Sequence, residues 1–160
     1  MKLNSTLTCL LCLLCTFQIL AEPEINKVQD VHFGSVNLSD ASKCRLTRLN
    51  GVRQDCSDIN GNVSIGQLII TNIDKNSNYL INVSGSTNGA IYFNPKVRIK
   101  GAKGGVFILR DGESAAVTSK NSGIDFTVEV YGDITISSAG SNFGPIAVDY
   151  NITIDPDSSI

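Results

Sequence analysis

The chain has 160 residues, of which 42% are hydrophobic and 18% are charged, and its formal net charge at pH 7 is −2. This length accommodates one domain with its own hydrophobic core and is too short for two. The slightly acidic balance, without a basic patch along the sequence, argues against nucleic acid as a partner.

Residues 1–21 are predicted to be a secretory signal peptide. A lysine follows the initial methionine, Leu7 to Leu14 is almost wholly apolar, and Ala21 precedes a polar stretch. That layout is typical of a cleaved export signal, and a lipoprotein anchor on Cys15 is the alternative. Residues 22–160 then form one exported domain. They have no further apolar run long enough to span a membrane as a helix.

Short apolar runs separated by turn residues follow the export signal. In a strand, successive side chains point to opposite faces, so alternation of apolar and polar residues indicates one buried face. The polar stretch 39–62 predicts a long loop or an elaborated hairpin. In the first half of the domain the runs predict three strands, Val31 to Val36, Val63 to Thr71 with a bulge at Gly66, and Tyr79 to Val83.

Two further features shape the prediction in the middle of the chain. Ile91 to Ile99 alternates, but Pro95 interrupts it and predicts a sheet edge or a break. Asp111-Gly112 lies between two apolar runs and predicts a two-residue hairpin, because that turn needs residues that tolerate positive φ.

The most regular alternation lies near the end of the chain. Every even position is apolar or glycine from Ile124 to Ile136, where Gly132 predicts a kink, and again from Ile146 to Ile154. With about eight to ten short strands and no helix, the sequence predicts an all-β fold. The expected architecture is an immunoglobulin-like or jelly-roll-like antiparallel β-sandwich, with an up-and-down barrel as the main alternative.

Two cysteines remain after removal of the signal peptide, Cys44 and Cys56. An even pair in an exported chain predicts one disulfide bond, which contributes roughly 3 kcal/mol in the chain-entropy model. A zinc site would need two more ligands, and His32 alone does not supply them. The sequence therefore predicts neither a metal site nor a cofactor.

Catalytic motifs are absent from the sequence. Neither a G-x-S-x-G nucleophile elbow nor an H-E-x-x-H metal motif occurs. Asp125, Glu129 and Asp133 share one strand face, as the paired carboxylates of a glycosidase would, but a solvated face is the simpler interpretation. We therefore predict no catalytic residue and a non-enzymatic function.

Residues for ligand binding are few. A carbohydrate platform needs exposed aromatic rings, and by parity only Tyr92 and Tyr131 qualify. Arg45, Arg48 and Arg53 form a local cluster in the cysteine-containing stretch, which we interpret as a solvated loop. The sequence therefore assigns no ligand-binding residue.

Four segments together resemble a known family. They are DVHFGSV, YLINV, ILRDGES and YGDITISSAGSNFGPIAVDYNITI, and they occur in this order between Val28 and Ile154. Their arrangement resembles the bacterial exported domain of unknown function 4402 family. The resemblance implies an immunoglobulin-like sandwich exported by Gram-negative bacteria to the periplasm, cell surface or exterior. It also implies a fimbrial-subunit-like layout without an enzyme activity or an established ligand.

These observations support two hypotheses about function. The first is an exported structural or adhesion protein, such as a pilin-like subunit, that interacts through strand edges with itself, other surface-fibre subunits or a periplasmic chaperone. Its donor strand would come from residues 22–30. The second hypothesis is a secreted module that binds a carbohydrate or another small ligand.

Overall fold

The computed structural model describes residues 22–37, 43–48, 53–54, 60–137 and 142–157. Every regular element in these residues is a β-strand, and every strand pair is antiparallel. The strands are β1 (Glu24–Gln29), β2 (His32–Asn37), β3 (Lys43–Thr47), β4 (Arg53–Gln54), β5 (Asn60–Ser64), β6 (Gly66–Thr71), β7 (Asn78–Asn88), β8 (Ile91–Lys100), β9 (Phe107–Arg110), β10 (Ser114–Thr118), β11 (Phe126–Ile136), β12 (Asn142–Ala147) and β13 (Tyr150–Pro156).

The strands pack as a β-sandwich. One layer has the order β1-β6-β11-β8-β9, with β3 beside the second half of β11 and β4 beside β3. The opposite layer contains β10-β7-β13 and the separate three-stranded sheet β12-β2-β5. The prediction of an all-β antiparallel sandwich is confirmed.

The core lies between the layers and contains the residues that the alternation places inward. The even positions of β11 and the odd positions of β8 from Phe93 onward are buried. Phe33 of β2 packs edge-on against Phe93 of β8 with ring centroids 6.0 Å apart, and Tyr79 of β7 packs likewise against Phe126 of β11 at 6.1 Å. These aromatic contacts bridge the two layers.

The described residues contain thirteen strands where the sequence predicts eight to ten, because apolar runs continue across changes of sheet. The run from Val63 to Thr71 divides at Ile65 into β5 and β6, which belong to different layers. The run from Ile146 to Ile154 divides at Val148 and Asp149 into β12 and β13, which belong to different sheets of the same layer. Alternation specifies the buried face of a run, whereas its hydrogen-bonding neighbours depend on distant segments.

Strand β7 passes from one layer to the other at Gly85. Residues Tyr79 to Gly85 pair with β13, whereas Ser86 to Asn88 pair with β8. A Cβ atom on Gly85 would lie 2.0 Å from the Phe93 carbonyl oxygen, so no other residue permits this approach without a shift of the backbone. The strand therefore continues to Asn88, whereas the sequence predicts a strand from Tyr79 to Val83 only.

The predicted hairpin at Asp111-Gly112 is wrong. Strand β9 pairs with β8 and strand β10 pairs with β7, so the turn connects the two layers. The Glu113 N–H donates to the Arg110 carbonyl at 3.0 Å, and Gly112 has a positive φ while Asp111 does not. This is the geometry of a type II turn, whereas a type I′ hairpin needs positive φ at both central residues.

Pro95 lies inside the continuous strand β8 and within the sheet, so the predicted edge and the predicted break of the run are both wrong. It is buried in β8 opposite Gly132 of β11. On its other side β8 pairs with β7 through Phe93 and with β9 from Lys96 onward. Because proline has no N–H to donate, it suits the gap between two successive partners.

Strand β11 also changes its pairing partner near Gly132, the residue opposite Pro95. Residues up to Val130 pair with β6, and residues from Gly132 onward pair with β3. Gly132 thus divides the pairing of the run while the strand itself continues. In the part of the chain that the structure describes, no helix has the length and apolar character needed to cross a membrane.

Candidate functional site

The outer face of the β3-β11-β8-β9 layer carries long polar side chains. Because the even positions of β11 and the odd positions of β8 fill the core, the residues between them point outward. Strand β9 adds Ile108 and Arg110 to this face, and β3 adds Lys43 and Arg45. We call this surface the basic face.

A groove of about 720 Å³ crosses the basic face where β8 and β11 change partners. Its floor contains Pro95, Tyr131 and Gly132, and its sides come from β3 and β9. The groove exists because β3 succeeds β6 beside β11 and β9 succeeds β7 beside β8 at the same level of the sheet. We call it the basic groove.

The basic face has a strong excess of positive charge. Two carboxylates lie on these strands, Glu129 and Asp133, while Asp111 and Glu113 lie in the turn after β9. More than half of the 13 lysines and arginines of the chain lie on this face although the whole chain has a net charge of −2. These cations are Lys43, Arg45, Arg48, Lys96, Arg98, Lys100 and Arg110.

Glu129 is the centre of a salt-bridge network in the first half of β11. Its Oε2 lies 2.7 Å from Arg48 Nε and 3.2 Å from Arg98 Nη1, and its Oε1 accepts from Lys100 Nζ. Burial alone would raise the pKa of Glu129, but the hydrogen bonds from Lys100 and Arg98 and the charge of Arg48 outweigh it. The pKa therefore lies below its ordinary value, and Glu129 stays ionised at neutral pH.

Asp133 holds the second group of cations. Its Oδ1 accepts from Arg45 Nε at 2.9 Å, and its Oδ2 lies 3.5 Å from Lys43 Nζ. Both cations come from β3, which pairs with β11 through the register of Asp133 with Arg45. The two carboxylates on the strands of the basic face thus form salt bridges with five of the seven cations.

Lys96 and Arg110 are the remaining two cations, and they differ from the others. Among the residues that the structure describes, neither has a carboxylate within salt-bridge distance. Lys96 Nζ instead lies 5.8 Å from the centre of the Tyr131 ring. Burial raises the pKa of Tyr131, and the charges of Arg48 and Arg98 offset part of this rise. Tyr131 therefore contributes a neutral phenol to the groove floor.

The two tyrosines suggested as a carbohydrate platform have different roles. Tyr131 lies in the basic groove, whereas the Tyr92 hydroxyl donates to the Asp111 carboxylate. That hydrogen bond raises the pKa of Tyr92, and burial raises it further. Asp111 also accepts from the Gly85 N–H at 2.6 Å. Tyr92 thus supports the crossing of β7 between the layers.

One cysteine of the predicted pair lies in the described residues. Cys44 lies in β3, is fully buried and is disulfide-bonded. Cys56 lies outside the described residues, so its pairing with Cys44 stays a prediction.

The other residues named from the sequence lie apart. Asp125 is exposed ahead of β11, and His32 is partly buried between the core residues Val31 and Phe33. Within the described ranges no three histidine, cysteine or acidic side chains come together as a metal site. Arg53 lies in β4, and its side chain is outside the described part of the structure.

Sequence reasoning missed the basic groove because its residues come from distant segments. Arg48 and Arg98 both contact Glu129 although 50 positions separate them in the chain. A local signal was available in Lys96, Arg98 and Lys100, which repeat at two-residue spacing on one side of a predicted strand. The pairing of β3 with β11 is the part that this signal does not contain.

Comparisons with protein-family models, curated proteins and solved structures found no match. The resemblance to the domain of unknown function 4402 family stays a prediction.

Proposed function

We propose that this chain is an exported, non-enzymatic adhesion protein that binds an anionic ligand in the basic groove. The observation that supports this proposal is the concentration of seven cations and two carboxylates on one strand face of a chain with net charge −2. Such a local excess raises the concentration of anions at that face and orients them toward it. The groove provides the concave surface that a ligand needs.

The role of the carboxylates supports binding in preference to catalysis. Glycoside hydrolysis needs one protonated acid near neutral pH. Glu129 instead has a lowered pKa, and Asp133 is held by Lys43 and Arg45. Both side chains orient arginines and lysines across the groove.

Assembly through a strand edge is the second candidate function. Within the described part of the chain, strand β1 pairs with β6 alone and lies at the edge of the sheet, and five of its six residues are exposed. The proposed partners are a second copy of this chain, other surface-fibre subunits and a periplasmic chaperone. We rank this function below ligand binding because a bulge between Lys27 and Gln29 and the ion pair of Lys27 with Asp30 are features that protect an edge from pairing.

The binding proposal is tested with matched triple variants and an anionic polymer. Retention of the purified protein on carboxylated dextran is compared with retention on neutral dextran at low and physiological salt. One variant removes three groove cations, and its control removes three exposed lysines elsewhere. The groove variant carries Arg48→Ala, Lys96→Ala and Arg110→Ala, and the control carries Lys75→Ala, Lys103→Ala and Lys120→Ala.

We expect retention of the wild type and of the control on the anionic polymer, and loss of retention for the groove variant. Both variants change the net charge equally, so a difference between them reports on the location of the charges. Equal retention of all three proteins, or no retention of any, would contradict the proposal. The edge function is tested separately by removing residues 22–30, which should change the oligomeric state if β1 mediates assembly.

A further inference from the structure

Three residues form a continuous row across the floor of the basic groove. In the register of the sheet, Arg110 of β9 is paired with Lys96 of β8, and Lys96 is paired with Tyr131 of β11. Neighbouring strands lie about 4.8 Å apart, so the row places two cationic side chains and one aromatic ring within the width of a single sugar residue or two.

The pairing of Lys96 with Arg110 is unfavourable in the unliganded protein. Like charges directly opposite each other on adjacent strands repel, and in the described residues neither of them has a carboxylate partner. The other five cations of the basic face lie within salt-bridge distance of Glu129 or Asp133. An anion bound between Lys96 and Arg110 would relieve the repulsion, and it would do so without displacing a carboxylate from either side chain.

The neighbouring ring favours a sugar as the carrier of the anion. Tyr131 is partly buried in the groove floor, and its hydroxyl is protonated at neutral pH because the ordinary tyrosine pKa is already high and burial raises it further. An aromatic ring packs against the apolar face of a sugar, and a phenol hydroxyl exchanges hydrogen bonds with sugar hydroxyls. Ile108 is 51% exposed beside the row and extends the apolar contact.

The spacing of the cations that lie outside salt bridges favours an acidic polysaccharide over a nucleic acid as the ligand. Single-stranded nucleic acids carry a phosphate on every nucleotide and bind to sites with several aromatic rings for successive bases. Among the described residues that line the basic groove, Tyr131 is the aromatic ring and Lys96 and Arg110 are the cations outside the salt bridges, since Arg98 is held by Glu129. A polymer whose charged groups are separated by neutral sugar surface matches this pattern better.

We therefore infer that Lys96 and Arg110 form the subsite for a carboxylate or sulfate group of an acidic polysaccharide, with Tyr131 beneath the adjoining sugar ring. This inference rests on the proposed function and specifies its ligand class. Carboxylate and sulfate are the same anion chemistry for this subsite, and the experiment separates them.

The test measures equilibrium binding to four polymers: polygalacturonate, dextran sulfate, neutral dextran and a single-stranded DNA oligonucleotide. The subsite variant carries Lys96→Ala and Arg110→Ala, and the matched control carries Lys103→Ala and Lys120→Ala. A third variant with Arg45→Ala and Arg48→Ala removes two cations from the β3 side of the same groove. Tyr131→Leu removes the aromatic ring without a change of charge.

We expect the subsite variant to bind at least one of the two acidic polysaccharides at least tenfold more weakly than the control does, at equal salt. Tyr131→Leu should weaken polysaccharide binding several-fold and leave competition by inorganic sulfate unchanged, because sulfate has no sugar ring. The variants' circular dichroism and urea midpoints verify that each remains folded. The comparison of the two polysaccharides identifies carboxylate or sulfate as the preferred group.

The outcomes separate the inference from the proposed function. If the Arg45 and Arg48 variant loses binding while the subsite variant does not, the groove binds anions but this subsite is wrong. If the oligonucleotide binds more tightly than both polysaccharides through the same residues, the ligand class is wrong. If no acidic polymer binds the wild type, both the inference and the proposed function are overturned.

Discussion

Asp111 links the two layers of the sandwich through single hydrogen bonds. Its Oδ1 accepts from the Gly85 N–H at 2.6 Å, and its Oδ2 accepts from the Tyr92 hydroxyl. One of these donors lies at the layer crossing of β7 and the other in β8. Hydrogen bonds to a charged acceptor contribute more to stability than those between neutral groups.

We predict that Asp111→Ala lowers the free energy of unfolding by about 2–3 kcal/mol, because the Gly85 N–H and the Tyr92 hydroxyl lose their acceptor. Asp111→Asn keeps one carbonyl oxygen and should lose less. Adding Tyr92→Phe to the alanine variant should cost little more, since the two residues share one interaction. Urea unfolding measures all four proteins, and a loss below about 0.5 kcal/mol for Asp111→Ala would refute this role.

Glu129 makes the free energy of unfolding depend on pH in the acidic range. Its folded pKa lies below its ordinary value of 4.5, so the unfolded chain binds more protons than the folded protein as the pH falls. The stabilisation is fully present above pH 4.5 and is lost as the pH falls through the lower folded pKa.

We predict that the wild type is more stable than Glu129→Gln by about 1 kcal/mol at neutral pH, and that this difference decreases as the pH falls below 4.5. Urea unfolding of both proteins across this pH range measures the difference. Glutamine matches the size of glutamate and does not ionise, so it isolates the effect of the charge. A difference that is constant over the range would show that Glu129 does not carry the pH dependence.

At the scale of the strand, β7 is the element that belongs to both layers, and Gly85 is its critical position. We predict that Gly85→Ala lowers the free energy of unfolding by about 3 kcal/mol or more, because the new Cβ would lie 2.0 Å from the Phe93 carbonyl oxygen. Ser84→Ala, at the exposed neighbouring position, should stay within about 0.5 kcal/mol of the wild type. Equal effects at the two positions would contradict the crossing at Gly85.

The pairing of β8 with β9 predicts a stabilising substitution at the exposed residue Arg110. Arg110→Thr should raise the free energy of unfolding by about 0.2–1 kcal/mol, because it removes the repulsion between Arg110 and Lys96 and suits a strand. Arg110→Lys keeps the charge and should change little. The gain should decrease with added salt. A loss of stability at low salt would mean that Arg110 is not repelled by Lys96.

The same elements explain how much of the fold follows from sequence. The buried face of β11 was predictable residue by residue from Phe126 to Ile136, because alternation is a local property of the chain. The connection at Asp111-Gly112 was not, because a type II turn and a hairpin turn share the same residue preferences and differ in the strands they join. Those partners lie more than ten residues away in β7 and β8.

At the scale of the whole molecule, the candidate site depends on two changes of partner at one level of the sheet. Tyr131 was predictable as an outward-facing ring from its parity, but Arg48, directly after β3, and Arg110 of β9 reach the same groove through long-range pairing. Composition alone gives a slightly acidic chain and conceals a basic face. Register is therefore the property that converts dispersed charges into a binding surface.

The position of the binding site is measured by a chemical-shift map of the isotope-labelled protein during titration with an acidic oligosaccharide. We predict that the amide signals that shift most belong to the outward positions of β8, β9 and β11, with Arg98, Ile108 and Tyr131 among them. Shifts concentrated in β1 and β6, around Lys27 and Gln67, would place the interaction at the sheet edge and contradict the basic groove as the binding site.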